Sequence, residues 1–95
     1  MADLDEQKRM QEVARADRAR ELLNNDMLKD AFAAVEREIL TAKEIVHSPE
    51  DVQKLHMMFV CNRKVQNILR GYIETGKLAG IQLEQKRKFK LFGVN

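Results

Sequence analysis

The chain has 95 residues, 34% of them charged, 44% hydrophobic and 5% aromatic, with one Pro, no Trp and a formal net charge of +2. This is the composition of exposed helices, and it excludes a β-sandwich or barrel. A few helices of this size cannot enclose a large core, so stability is expected to lean on self-association.

Charge is unevenly distributed. Residues 1–46 carry eight Lys/Arg against eleven Asp/Glu, and residues 47–95 carry nine against four. The single cysteine, Cys61, permits no intramolecular disulfide and points to a reducing compartment. It is expected to be a half-buried, inert thiol beside an apolar stripe. The opening MADLDEQKRM has no apolar run after its charges and is not read as a signal peptide. No stretch approaches the roughly 20 apolar residues of a membrane span, so a soluble protein is expected.

The first segment, from about Leu4 to Leu23, alternates charges and has only a thin apolar stripe of Met10, Val13, Ala14, Leu22 and Leu23. Opposite charges three or four residues apart support a solvated helix by a few tenths of a kcal/mol each. Such a helix is marginal alone and must dock or fray. Asn24-Asn25-Asp26 offers side-chain oxygens to the unpaired amides of a helix start, which predicts a break before the next element.

Leu28, Phe32, Val35, Ile39, Ala42 and Val46 then step by four and three, the spacing that keeps one side of a helix against a partner. After His47-Ser48-Pro49 the rhythm resumes with Leu55, Met58, Val65, Leu69 and Tyr72. Ser48-Pro49-Glu50-Asp51 is a strong helix start, with a capping hydroxyl, a proline whose missing amide costs nothing at the first position, and acids where the helix dipole favours them. The helix is predicted to run to about Thr75, with Gly76 as its terminator. Leu78, Ile81 and Leu83 suggest a further helical turn or two, weakened by Gly80. The closing Lys86-Arg87-Lys88-Phe89-Lys90-Leu91-Phe92 reads as a tail that needs a partner to become ordered.

These elements define an all-α protein of one helical domain, residues 1–95. It comprises a charged N-terminal helix (1–24), an antiparallel helical hairpin (26–75), and a short helix with a basic C-terminal tail (77–95). The predicted oligomer or partner interface is Leu55, Met58, Asn62, Val65, Leu69 and Tyr72. Asn62 falls on the stripe, seven residues from both Leu55 and Leu69. Two readings of it stay open: a pair across helices that fixes register and oligomer state, or a place at the solvent edge.

Little points to chemistry. His47 and His56 lack partners at metal-ligand spacing. Glu36 and Glu38, two apart, point to different sides of a helix. Gly71, Gly76, Gly80 and Gly93 form no phosphate loop. No enzyme activity, metal or cofactor is expected. Lys86, Arg87, Lys88, Phe89, Lys90 and Phe92 combine cations with apolar groups suited to phosphates and stacked bases, or to an acidic protein surface.

Ala16-Asp17-Arg18-Ala19-Arg20-Glu21-Leu22-Leu23-Asn24-Asn25-Asp26, then Ala31-Phe32-Ala33-Ala34-Val35-Glu36, then Ile73-Glu74-Thr75-Gly76-Lys77-Leu78-Ala79 with Gln82-Leu83, resembles a family of small helical proteins of tailed bacteriophages. The resemblance covers roughly residues 16–84 and implies a setting in the head-morphogenesis and DNA-packaging gene region. It carries no catalytic residues. It implies a structural or assembly protein that oligomerises through the hairpin and contacts a larger virion or packaging component. The site is then the host cytoplasm during assembly, or the virion. A nucleic-acid-binding accessory factor working through the tail and an inhibitor of a host protein are the alternatives.

Overall fold

A computed structural model describes residues 3–91, and these are helical throughout apart from short connections. The order is α1 (Leu4–Leu23), α2 (Asp26–Ile45) and α3 (Pro49–Leu91), with no strand among the described residues. Each helix starts on a side-chain cap. The Asp3 carboxylate accepts from the Glu6 amide at 2.7 Å, Asn25 Oδ1 from the Leu28 amide at 2.9 Å, and Ser48 Oγ from the Asp51 amide at 3.1 Å. Asn25 has the extended backbone of a cap residue, φ −74° and ψ 119°, so the break at Asn24-Asn25 and the restart at Pro49 follow from local side-chain chemistry.

Ser48→Ala removes the acceptor for the Asp51 amide and should lower the stability of the α3 start by about 0.5–2 kcal/mol. Thr41→Ala, inside α2, should cost less. Thermal unfolding of both variants checks the ranking, and an unchanged midpoint for Ser48→Ala would mean that the hydroxyl is replaceable by water.

The predicted helix end at Thr75 is corrected: α3 continues for 43 residues through Gly76 and Gly80 to Leu91. Gly76 is buried in mid-helix. Its lack of a side chain serves a close approach, not a turn. A Cβ placed there would overlap the Ala16 Cβ of α1 and lie 3.0 Å from the Glu12 carbonyl oxygen. The expected disordered basic tail is corrected with it, since residues 77–91 belong to the same helix.

Two compact units divide the chain: residues up to 21 with those from 69 onward, and Leu22–Ile68. In the first, α1 runs antiparallel to the last part of α3, because the partner number falls as the α1 number rises. Asp3 meets Lys86, Arg9 meets Gln82 and Ala16 meets Gly76. The seam is built of small residues, with Ala16, Ala19, Gly76 and Ala79 buried. Backbones approach closely there, yet each residue removes little apolar area from water. Polar groups flank the seam. Arg9 Nε donates to Gln82 Oε1 at 3.0 Å, and the Arg15 guanidinium lies 4.2 Å above the Tyr72 ring, a contact worth about 0.5–1 kcal/mol at an exposed site.

In the second unit, α2 packs against the first part of α3. Leu28, Phe32, Val35, Ala42 and Val46 are half-buried and Ile39 fully buried, so the α2 stripe faces inward as its spacing predicts. On α3 the inward set is Leu55, Phe59, Asn62 and Gln66; Met58 and Val65 lie outside it, 53% and 50% exposed. Residues 55 and 62 belong to both spacings, and the choice between flanks is polar. Asn62 Nδ2 donates to the Phe32 carbonyl at 3.3 Å, and Gln66 Nε2 to the Asn62 carbonyl at 3.3 Å. Arg63 Nε pairs with Glu36 Oε1 at 2.8 Å while its guanidinium sits 5.4 Å from the Phe59 ring centre.

Candidate functional site

The basic end of α3 is placed on one helix, which spreads its cations around the circumference at 100° per residue. Lys86 is half-buried and committed to α1, with Nζ 2.6 Å from Asp3 Oδ2 and 3.8 Å from Glu6 Oε2. Arg87, Lys88, Phe89 and Lys90 are exposed, and Lys88 lies 3.7 Å from Glu84 one turn earlier. Phe92 lies outside the described residues. Three outward cations support a slope of log affinity against log salt no steeper than about −2.7 on duplex DNA.

Lys86 and Asp3 shift each other. The hydrogen bond from Lys86, then that from the Glu6 amide, holds the Asp3 carboxyl below its ordinary value, and the bond to Asp3 raises the Lys86 ammonium. The Asp3 contribution is therefore complete above the ordinary carboxylate pKa and lost as pH falls through the lowered one. The Lys86 contribution is complete below the ordinary lysine pKa and lost as pH rises through the raised one. The docked start of α1 should thus hold from mildly acid to mildly alkaline pH. An NMR titration of the Asp3 carboxyl carbon checks this: Lys86→Gln should return its midpoint toward that of a free aspartate.

The predicted interface residues separate into two groups. Leu55, Asn62, Leu69 and Tyr72 are half-buried within the chain, and Met58 and Val65 face outward. Asn62 is used inside the second unit, by its bond to Phe32. Cys61 is exposed rather than half-buried, because the inward face has turned toward Phe59 and Gln66 and carried residue 61 outward. His47 and His56 are exposed, and no group of three or more His, Cys, Asp or Glu suited to a metal ion occurs among the described residues. No helix among them is long and apolar enough to cross a membrane.

Two features were missed in the sequence reading. One is the small-residue seam, whose signal was Ala16 and Ala19 on one helix and Gly76, Ala79 and Gly80 on another. The second is that Met58 and Val65, expected at the interface, belong with Cys61 and Ile68 to an outward stripe on α3, again at spacings of three and four. Large apolar side chains elsewhere on the second unit are exposed too, among them Met27, at 81%. No family model, curated protein or solved structure matches the chain.

Proposed function

We propose that this is a small phage structural or assembly protein that self-associates through a hairpin of α2 and the first part of α3 and contacts a larger virion or DNA-packaging component. The observation that carries the reading is the imbalance between buried and exposed apolar groups. The buried apolar side chains among the described residues are Ala16, Ala19, Ile39 and Ala79, whereas Met58, Val65 and Ile68 on one side of α3 are all about half exposed. A surface of that kind marks an interaction face. The phage setting rests on the resemblance over residues 16–84.

Two measurements test it. Sedimentation should give a dimer or larger species at micromolar concentration, and mass spectrometry of purified phage particles or assembly intermediates should detect the chain. A strictly monomeric protein absent from both would overturn the reading. The second reading, a nucleic-acid-binding accessory factor, rests on exposed Arg87, Lys88 and Lys90. It requires DNA binding that weakens with salt and is lost on removal of these charges.

A further inference from the structure

We infer that the face of the second unit opposite the Glu36–Arg63 ion pair is the self-association surface, and that its occupant is a second copy of this chain related by a two-fold axis parallel to the helices. The inference rests on the self-association reading above and assigns its surface. Glu36 and Arg63 pair at 2.8 Å and so mark one flank of the contact between α2 and α3. At 100° per residue, Met58, Cys61, Val65 and Ile68 lie on the other flank of the inward set Leu55, Phe59, Asn62 and Gln66. On α2, Met27, Ala31 and Ala34 lie on the same side, away from Glu36.

Three observations favour a second copy as occupant. The first is area. Met27, Met58, Val65 and Ile68 are 81%, 53%, 50% and 44% exposed, and with Ala31 and Cys61 they present on the order of 500 Å² of apolar surface. A standard interface takes about 800 Å² from each partner, a little over half of it apolar. The face therefore supplies the apolar part of such an interface from one copy.

The second observation is shape: the α3 half of the face carries the larger side chains, and on the α2 half Ala31 and Ala34 form a low stretch between the larger Met27 and Glu38. A two-fold axis parallel to the helices sets the α3 ridge of each copy into the α2 hollow of the other, as isologous contact requires. The third is charge. Exposed Glu38 of α2 and exposed Lys54 of α3 bound the same end of the face. That symmetry brings Glu38 of each copy toward the opposite charge on the other, twice per dimer.

Val65→Asp should raise the dimer dissociation constant by about thirtyfold or more, since it places an unpaired carboxylate in the contact. Val60→Asp, on the outer side of the same helix and equally half-exposed, should leave it almost unchanged. Circular dichroism on both variants verifies that the helices persist. Glu38→Lys should weaken the dimer several-fold, and Glu38→Lys with Lys54→Glu in one chain should restore it. The Cys61 thiol should react with a thiol reagent more slowly as protein concentration rises. A dimer indifferent to Val65→Asp would overturn this face while leaving self-association intact. A double reversal that fails to restore would overturn the ridge-in-hollow symmetry. A native chain that is monomeric throughout would sink both this inference and the reading beneath it.

Discussion

Gly76→Ala should destabilise the packing of α1 on α3 by about 1–2 kcal/mol, and Gly71→Ala, five residues earlier in the same helix, should stabilise it by about 0.5–1 kcal/mol. Alanine is the better helix former by about 1 kcal/mol at either position. What reverses the sign is the neighbourhood. Nothing lies within 4 Å of a Cβ at Gly71, but at Gly76 the new carbon meets the Ala16 Cβ and, at 3.0 Å, the Glu12 carbonyl. Neither neighbour is the movable end of a long side chain, so the helices must separate, and overpacking of this kind costs about 1–3 kcal/mol. Gly76→Leu should go further and release α1, whose charged sequence is marginal as an isolated helix. Hydrogen exchange reads this directly, as lost protection over Leu4–Leu23 with protection over Asp26–Ile45 retained. A Gly76→Ala variant more stable than the parent would refute the close seam.

The limits of reading this chain as a sequence lie in particular residues. Helix starts are local, so Asn25 and Ser48 could be recognised from the few residues around them. The α2 stripe was legible for a similar reason, because Leu28, Phe32, Val35, Ile39, Ala42 and Val46 follow one spacing without interruption. Gly76 was not legible. A glycine near the end of an apolar run ends a helix or admits a neighbour, and the residues that decide, Glu12 and Ala16, lie some sixty positions away. The inward face of α3 was misread for the opposite reason, an excess of apolar candidates. Met58 and Val65 outrank Gln66 in hydrophobicity, yet Gln66 lies inward beside Asn62, where its amide finds the Asn62 carbonyl. Met58 and Val65 were nonetheless expected at an oligomer or partner interface, and they lie on the outward stripe now assigned to self-association. The basic terminus looked like a tail because its charges repel one another in sequence, and Asp3 and Glu6, which hold Lys86, belong to the other end of the chain.

Ile39→Ala should be the most damaging single truncation in the second unit, lowering its stability by about 2–4 kcal/mol. Ile39 is 1% exposed and the only large side chain among the described residues to be fully buried. Its removal leaves a void where α2 meets α3, and no other large side chain is buried deeply enough to compensate. The neighbouring Leu40, 59% exposed, supplies the control: Leu40→Ala should change stability by no more than about 0.5 kcal/mol. Leu55→Ala should fall between them, since Leu55 is only half-buried. Urea unfolding followed by circular dichroism ranks the three. If two copies pair as inferred, unfolding is linked to dissociation, and the midpoint of each variant should rise with protein concentration. Ile39→Ala should then lower the midpoint at every concentration while preserving that dependence, because Ile39 is buried within its own chain and not against the second copy. Val65→Asp should do the reverse, abolishing the dependence with little change in the midpoint at the lowest concentration. Equal losses for Ile39→Ala and Leu40→Ala would show that the contact between α2 and α3 is not centred on Ile39.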